Sequence, residues 1–138
     1  MKPPSEMTND EINQACAVEV MGWKLRKDYT DPEDGFLWGD SYWDDDDCPI
    51  CTFTSGEWNP IKSGDDCFMI LDRLQELKFR YLLQCIPLDD QENIDFIFEL
   101  WSYAYGDYKV FAISSALQKK AICEAAILAV RWLKGQKE

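Results

Sequence analysis

The chain contains no histidine among its 138 residues. That absence removes the Ser-His-Asp and Cys-His devices of nucleophilic catalysis, together with the imidazole ligands common in zinc sites. A phosphate-cradling glycine loop, a dinucleotide glycine fingerprint and a metalloprotease helix are missing as well. Carboxylate pairs such as Asp89 and Asp90 do occur, but so acidic a chain produces them by chance, and a catalytic pair needs burial to shift its pKa. The expectation is a protein that binds rather than catalyses, with no cofactor. No run approaches the roughly 18 consecutive apolar residues of a membrane span, and the first ten residues lack the apolar core of a leader. A cytoplasmic location follows as an expectation, and with it free thiols, several of them buried.

Bases are scarce. There are 14 against 26 acids, a net charge of −12, and such a field repels nucleic-acid phosphates and anionic membrane surfaces. Direct duplex binding and membrane binding are therefore not expected. The deficit is also local: residues 28–61 hold ten acids and no Lys or Arg, so the remainder carries only −2.

What the chain does have is a core. Apolar residues make up 46 % and aromatics 14 %, well above the level at which chains stay disordered. One domain over residues 1–138 is expected, with residues 1–8 disordered and 40–50 an acidic loop. Thr8-Asn-Asp-Glu11 has capping-box form and precedes Ile12, Ala15, Cys16 and Val20 at helical spacing, predicting a helix from about Asn9 to Met21 closed by Gly22. Aromatic runs broken by turn signals predict two or three strands near 23–29, 35–39 and 51–58. Acids at Gly64-Asp65-Asp66 precede a leucine-striped helix. Strands follow at 79–86, 94–103 and 108–113; the second alternates Phe96, Phe98 and Leu100 against Ile97, Glu99 and Trp101, one core face and one half-wet. An alanine-rich helix from Ala116 to Lys134 closes the chain. The fold class is α+β: one antiparallel sheet of about five to six strands, with N-terminal, central and C-terminal helices packed on it.

Several of these residues carry a resemblance. Glu19-Val-Met-Gly-Trp23 at the end of the first helix, Trp38-x-Asp40, Trp58-Asn-Pro60 and Ala121-Ile-Cys-Glu-Ala-Ala126 together resemble the phage ABA-sandwich domain family, over about Asn9 to Leu133. The resemblance implies a small α/β/α layered protein of bacteriophage or prophage origin without an assigned reaction, and no catalytic residues to carry over. The Asp44–Asp47 and Cys48-Pro-Ile-Cys51 insertion and the aromatic stretch from Trp101 to Tyr108 depart from a plain member, and a private function would sit there.

Four constellations are candidates. In the acidic segment, Asp40, Asp44, Asp45, Asp46 and Asp47 would steer a host protein with a basic surface, while Trp38, Tyr42 and Trp43 anchor it; the carboxylates can also imitate DNA phosphates. Alternatively, Trp101 and Tyr103 would stack on a nucleotide signal whose phosphates meet Arg80, Lys109 or Arg131. Cys48, Cys51 and Cys67 can supply three thiolates to a zinc ion, although a closed site needs a fourth ligand and the neighbouring acids oppose thiolate formation. Calcium has carboxylates available but no EF-hand pattern to hold it. Finally, the strand from Ile94 to Tyr103 would invite a homodimer if it lay at a sheet edge.

Overall fold

The structure, a computed structural model, describes residues 2–52, 58–87, 94–102, 110–115 and 117–137; the side chains of Trp38 and of residues 50–52, 85–87, 94–95, 110–112, 114–115 and 136–137 are outside that description. Glu57, Asp89, Asp90, Tyr103 and Lys109 fall outside it entirely.

The capping box forms as read. Glu11 N donates to Thr8 Oγ1 at 3.2 Å and Thr8 N to Glu11 Oε1 at 3.1 Å, starting helix α1 (Asn9–Ala15). The same bond, with Lys2 beside it, holds the Glu11 carboxyl below its ordinary range. The helix then widens into a π turn, Cys16–Val20, in which Met21 N donates to the Cys16 carbonyl at 2.9 Å. Gly22, at φ 76°, turns the chain out. The residues before α1, expected to be disordered, instead make a 3-10 turn over Pro4–Glu6 with Pro4 buried. Arg131 Nη1 holds them by donating to the Lys2 carbonyl at 2.8 Å.

Six strands follow in two groups, and here the expected architecture is overturned. Strands β1 (Lys24–Thr30), β2 (Leu37–Trp43) and β3 (Pro49–Thr52) form one antiparallel three-stranded sheet; after helix α2 (Gly64–Glu76), strands β4 (Phe79–Pro87), β5 (Ile94–Ser102) and β6 (Val110–Ser115) form another. Among the described residues there is no single sheet of five to six strands: each group pairs strands adjacent in sequence, and the two groups do not pair with each other. Edge strand β1 carries Lys24, Arg26 and Lys27 and bulges after Arg26, with Asp28 at φ 52°, and charges and bulges of this kind discourage further pairing. In the second sheet β5 lies between β4 and β6, so it offers no edge and the homodimer expected from it has no support. Its alternation holds at Phe98 and Leu100, which are buried against half-exposed Ile97, Glu99 and Trp101, whereas Phe96, read as core, is half-exposed as well.

Helix α2 is capped by Ser63, whose hydroxyl accepts from Asp66 N, and it buries Cys67, Ile70 and Leu74. Helix α3 (Gln118–Lys137) runs past Gly135 rather than stopping before it, and packs against β5 and β6. No helix among the described residues is long and apolar enough to cross a membrane.

A polar node and an aromatic seam join these parts. Trp58 Nε1 donates to the Asn13 carbonyl at 2.8 Å, and Asn13 Nδ2 to Asn59 Oδ1 at 3.0 Å. Trp58 meets Trp23 edge-on at 4.7 Å between centroids, and Trp23 lies 6.0 Å from Tyr42 of the first sheet. Arg131 of α3 grips Glu19 of the π turn with two bonds, at 2.7 and 3.0 Å. Asn13→Ala leaves Asn59 and the Ile61 amide short of a partner in a half-dry site, so it should cost about 2 kcal/mol. Urea unfolding should show this as a lower midpoint with an unchanged slope.

Candidate functional site

The acidic segment folds as a hairpin and a tight turn whose carboxylates shape their own backbone. In the β1–β2 connection Asp31 N donates to the Phe36 carbonyl and Gly35 N to the Asp31 carbonyl, both at 2.9 Å. Asp31 Oδ1 accepts from Glu33 N at 2.8 Å and Asp34 Oδ1 from Phe36 N at 2.9 Å. These are Asx turns, local alternatives to a ladder. Phe36 closes this turn against Asp31 and Leu37 begins β2 opposite Thr30, and they are 70 % and 68 % exposed.

Further along, Asp40 Oδ1 accepts from Asp28 N at 3.1 Å, holding the β1 bulge. Asp44 closes the β2–β3 turn: its Oδ1 accepts from Asp46 N at 2.9 Å and from Cys48 N at 2.8 Å. Asp47, at φ 59°, lies 3.0 Å from Arg26 Nη2 and 4.0 Å from Lys24 Nζ. Only Asp45 and Asp46 of this run have carboxylates without a described partner. Strand pairing thus sets the bases of β1 against the acid run, which the linear charge count over residues 28–61 does not register.

The expected anchors are misplaced. Strand β2 extends through residue 43, so the acidic loop is the short turn after it and not residues 40–50. Tyr42 is fully buried in the main core, and Trp43 is 5 % exposed on the opposite face of the sheet. Trp43 is covered by the Arg26 guanidinium, 4.1 Å from its ring centroid, and by Tyr29 edge-on at 4.9 Å, while its Nε1 donates to Ser41 Oγ at 2.7 Å. Neither ring is available to a partner; the Trp38 side chain is outside the description. The exposed large apolar side chains described in this segment are instead Phe36 and Leu37. Sequence reading placed both in a strand, which holds for Leu37 at the start of β2 but not for Phe36, whose amide bonds Asp34 in the turn.

The nucleotide candidates separate. Arg80 and Trp101 are direct cross-strand partners and line an open basin of about 620 Å³ with Gln75, Phe79 and Tyr81. Arg131 is not there, being committed to Glu19 and Lys2. Tyr103 and Lys109 lie outside the described residues.

The thiols also divide. Cys48 is exposed on the β2–β3 turn, whereas Cys67 is buried and hydrogen-bonded to Cys123. Cys16 in turn donates to the Cys123 carbonyl at 3.8 Å. Cys67 therefore belongs to a chain of core thiols rather than to a site with Cys48. No group of three or more metal ligands occurs among the described residues. The bond to Cys123 and burial push the Cys67 thiol far up, and the contact with Cys16 does the same to Cys123.

No family model, curated protein or solved structure matches this chain. With Cys51 and Cys85 replaced by serine, a thiol reagent at pH 8 should modify Cys48 within minutes, and Cys16, Cys67 and Cys123 only after denaturation. Peptide mass mapping of the native and unfolded protein checks the order.

Proposed function

We propose that the chain is a non-enzymatic bacteriophage accessory protein that acts in the bacterial cytoplasm by docking on, and inhibiting, a host protein with a basic surface. A defence or nucleic-acid-handling protein has such a surface. The observation that carries the reading is the β1–β2 hairpin: two large apolar side chains, Phe36 and Leu37, exposed directly after the acids Asp31, Glu33 and Asp34. Apolar anchors supply affinity when a partner desolvates them, each worth about 1.5–3 kcal/mol when fully buried, while the carboxylates speed encounter and fix orientation. The apolar tip favours a protein cleft rimmed by bases over simple imitation of a phosphate backbone. The Asx turns hold the tip in one shape before contact, which lowers the entropy cost of binding.

Captured from host lysate, the partner should bind the wild type, bind Asp45→Asn/Asp46→Asn more weakly at low salt, and lose Phe36→Ser/Leu37→Ser altogether. All four changes are on exposed side chains and should leave the melting temperature unaltered. Retention of the partner by the Phe36/Leu37 variant would refute the docking role of the tip.

The cross-strand pair Arg80 and Trp101 favours a second reading, sequestration of a small nucleotide by stacking and charge. A nucleotide at 100 times its dissociation constant adds about 2.7 kcal/mol of stability. A panel of cyclic and ADP-ribose-type nucleotides should then raise the melting temperature with one member, and Trp101→Ala should remove the rise.

A further inference from the structure

Strand β4 is an edge that the fold leaves open. It pairs with β5 through nine consecutive residues without a register shift and has no strand on its other side among the described residues. In an antiparallel ladder every second residue turns its amide and carbonyl away from the partner, so this side of β4 presents a row of donors and acceptors in strand geometry. Edges of this length are ordinarily blunted by bulges, charges or a covering element. Edge strand β1 has the first two, whereas β4 is unbulged, carries Arg80 as its only charge and meets proline only at its last residue, Pro87.

Beside that edge runs α2. The turn at Leu77 and Lys78, with Lys78 at φ 68°, sends the chain back so that β4 retraces the helix. Gln75 borders the basin of Phe79 and Arg80, and Phe68 and Leu71 border a cleft of about 320 Å³ with Tyr81 and Leu83. Tyr81 lines both, so basin and cleft form one groove along the strand. Helix α2 packs on β4 while α3 packs on β5 and β6, so the helical layer reaches the rim of the sheet. Phe68 is 65 % exposed there, and Leu71 and Leu83 are half-buried. A further strand outside β4 would cover these apolar side chains with every second residue and bond the open row of amides and carbonyls.

We infer that this groove binds an extended segment of another protein as a fourth strand of the sheet, with apolar residues at alternate positions and bases among the residues between. Backbone pairing supplies the affinity in this mode, and pockets for alternate side chains supply the choice of sequence. Charge along the groove is mixed, with Asp65, Asp72 and Glu76 at exposed positions of α2 and Arg80 and Lys119 at its two ends. The field of a chain at −12 then decides, drawing in a basic segment and repelling an acidic one or a second copy of this chain. This surface is independent of the hairpin at Phe36 and Leu37, which belongs to the other sheet.

The test uses the full chain labelled with nitrogen-15 and a synthetic peptide, acetyl-KVTVKVT-amide, in which valine alternates with lysine and threonine. It should produce saturable amide shifts centred on residues 64–75 and 79–84. A scrambled peptide with its valines adjacent should bind at least about tenfold more weakly, and one with glutamate for lysine should lose affinity at low salt. Two N-methylated forms, one blocked at the valine amides and the other at the amides between them, should behave oppositely, because only one set of amides faces β4. Phe68→Ser, on an exposed side chain, should weaken the parent peptide about tenfold and leave the spectrum away from the groove unaltered, which separates loss of binding from loss of fold. Absence of saturation, shifts limited to Arg80 and Trp101 or centred on another surface, equal affinity for the scrambled or the glutamate peptide, like behaviour of the two methylated forms, or full affinity in Phe68→Ser would each overturn the assignment. So would a dimer in sedimentation that the peptide dissolves, which gives the edge to a second copy instead.

Discussion

The buried amide of Asn13 and its own backbone carbonyl are bonded to the loop that leads into α2. The carbonyl takes the Trp58 indole, the side-chain nitrogen donates to Asn59, and Asn59 N donates to Asp66 near the start of that helix. One residue of the first helix thus sets the position of the second. Through Trp58 it also sets Trp23 and Tyr42, the contacts by which the first sheet joins the main core. A polar group this dry is costly unless every bond is made, which is why the node specifies one arrangement rather than merely favouring compactness. The π turn immediately after it belongs to the same construction, since it carries Glu19 toward Arg131 and so ties α1 to α3.

The acidic segment obeys a different logic. Its carboxylates are arranged around short-range backbone bonds: Asp31, Asp34, Asp40 and Asp44 each accept from an amide close by, and Asp47 faces Arg26. These groups are charged and shape-determining at once. The charge count over residues 28–61 describes a solvated coil just as well as it describes this; the difference lies in which amides the oxygens reach.

Features governed by neighbours in sequence were legible. The capping box at Thr8 and Glu11, the Gly22 turn, the stripe of α2 and, from Ile97 on, the alternation of β5 depend on spacings of two to four residues and formed as read. Partition of the strands into two sheets was not legible, because it depends on edges that fail to pair: the bulge at Asp28 and the bases of β1 have no counterpart in strand propensity. The burial of Tyr42 and Trp43 was hidden for a related reason. Flanking aspartates suggested exposure, yet period-two alternation sends adjacent residues to opposite faces. Tyr42 therefore entered the core, and Trp43 needed the separate cover of Arg26 and Tyr29. Their place in β2, rather than in the acidic loop expected over residues 40–50, removed them from solvent.

Exposure of Phe36 and Leu37 follows from that geometry rather than from a shortage of core. The hairpin turn closes only if Asp31 and Asp34 bond the amides of residues 33 and 36, and this directs the chain outward just where two large apolar residues occur. Bending the tip back onto the molecule would bury them but would break the turn bonds and leave their donors and acceptors to be resatisfied.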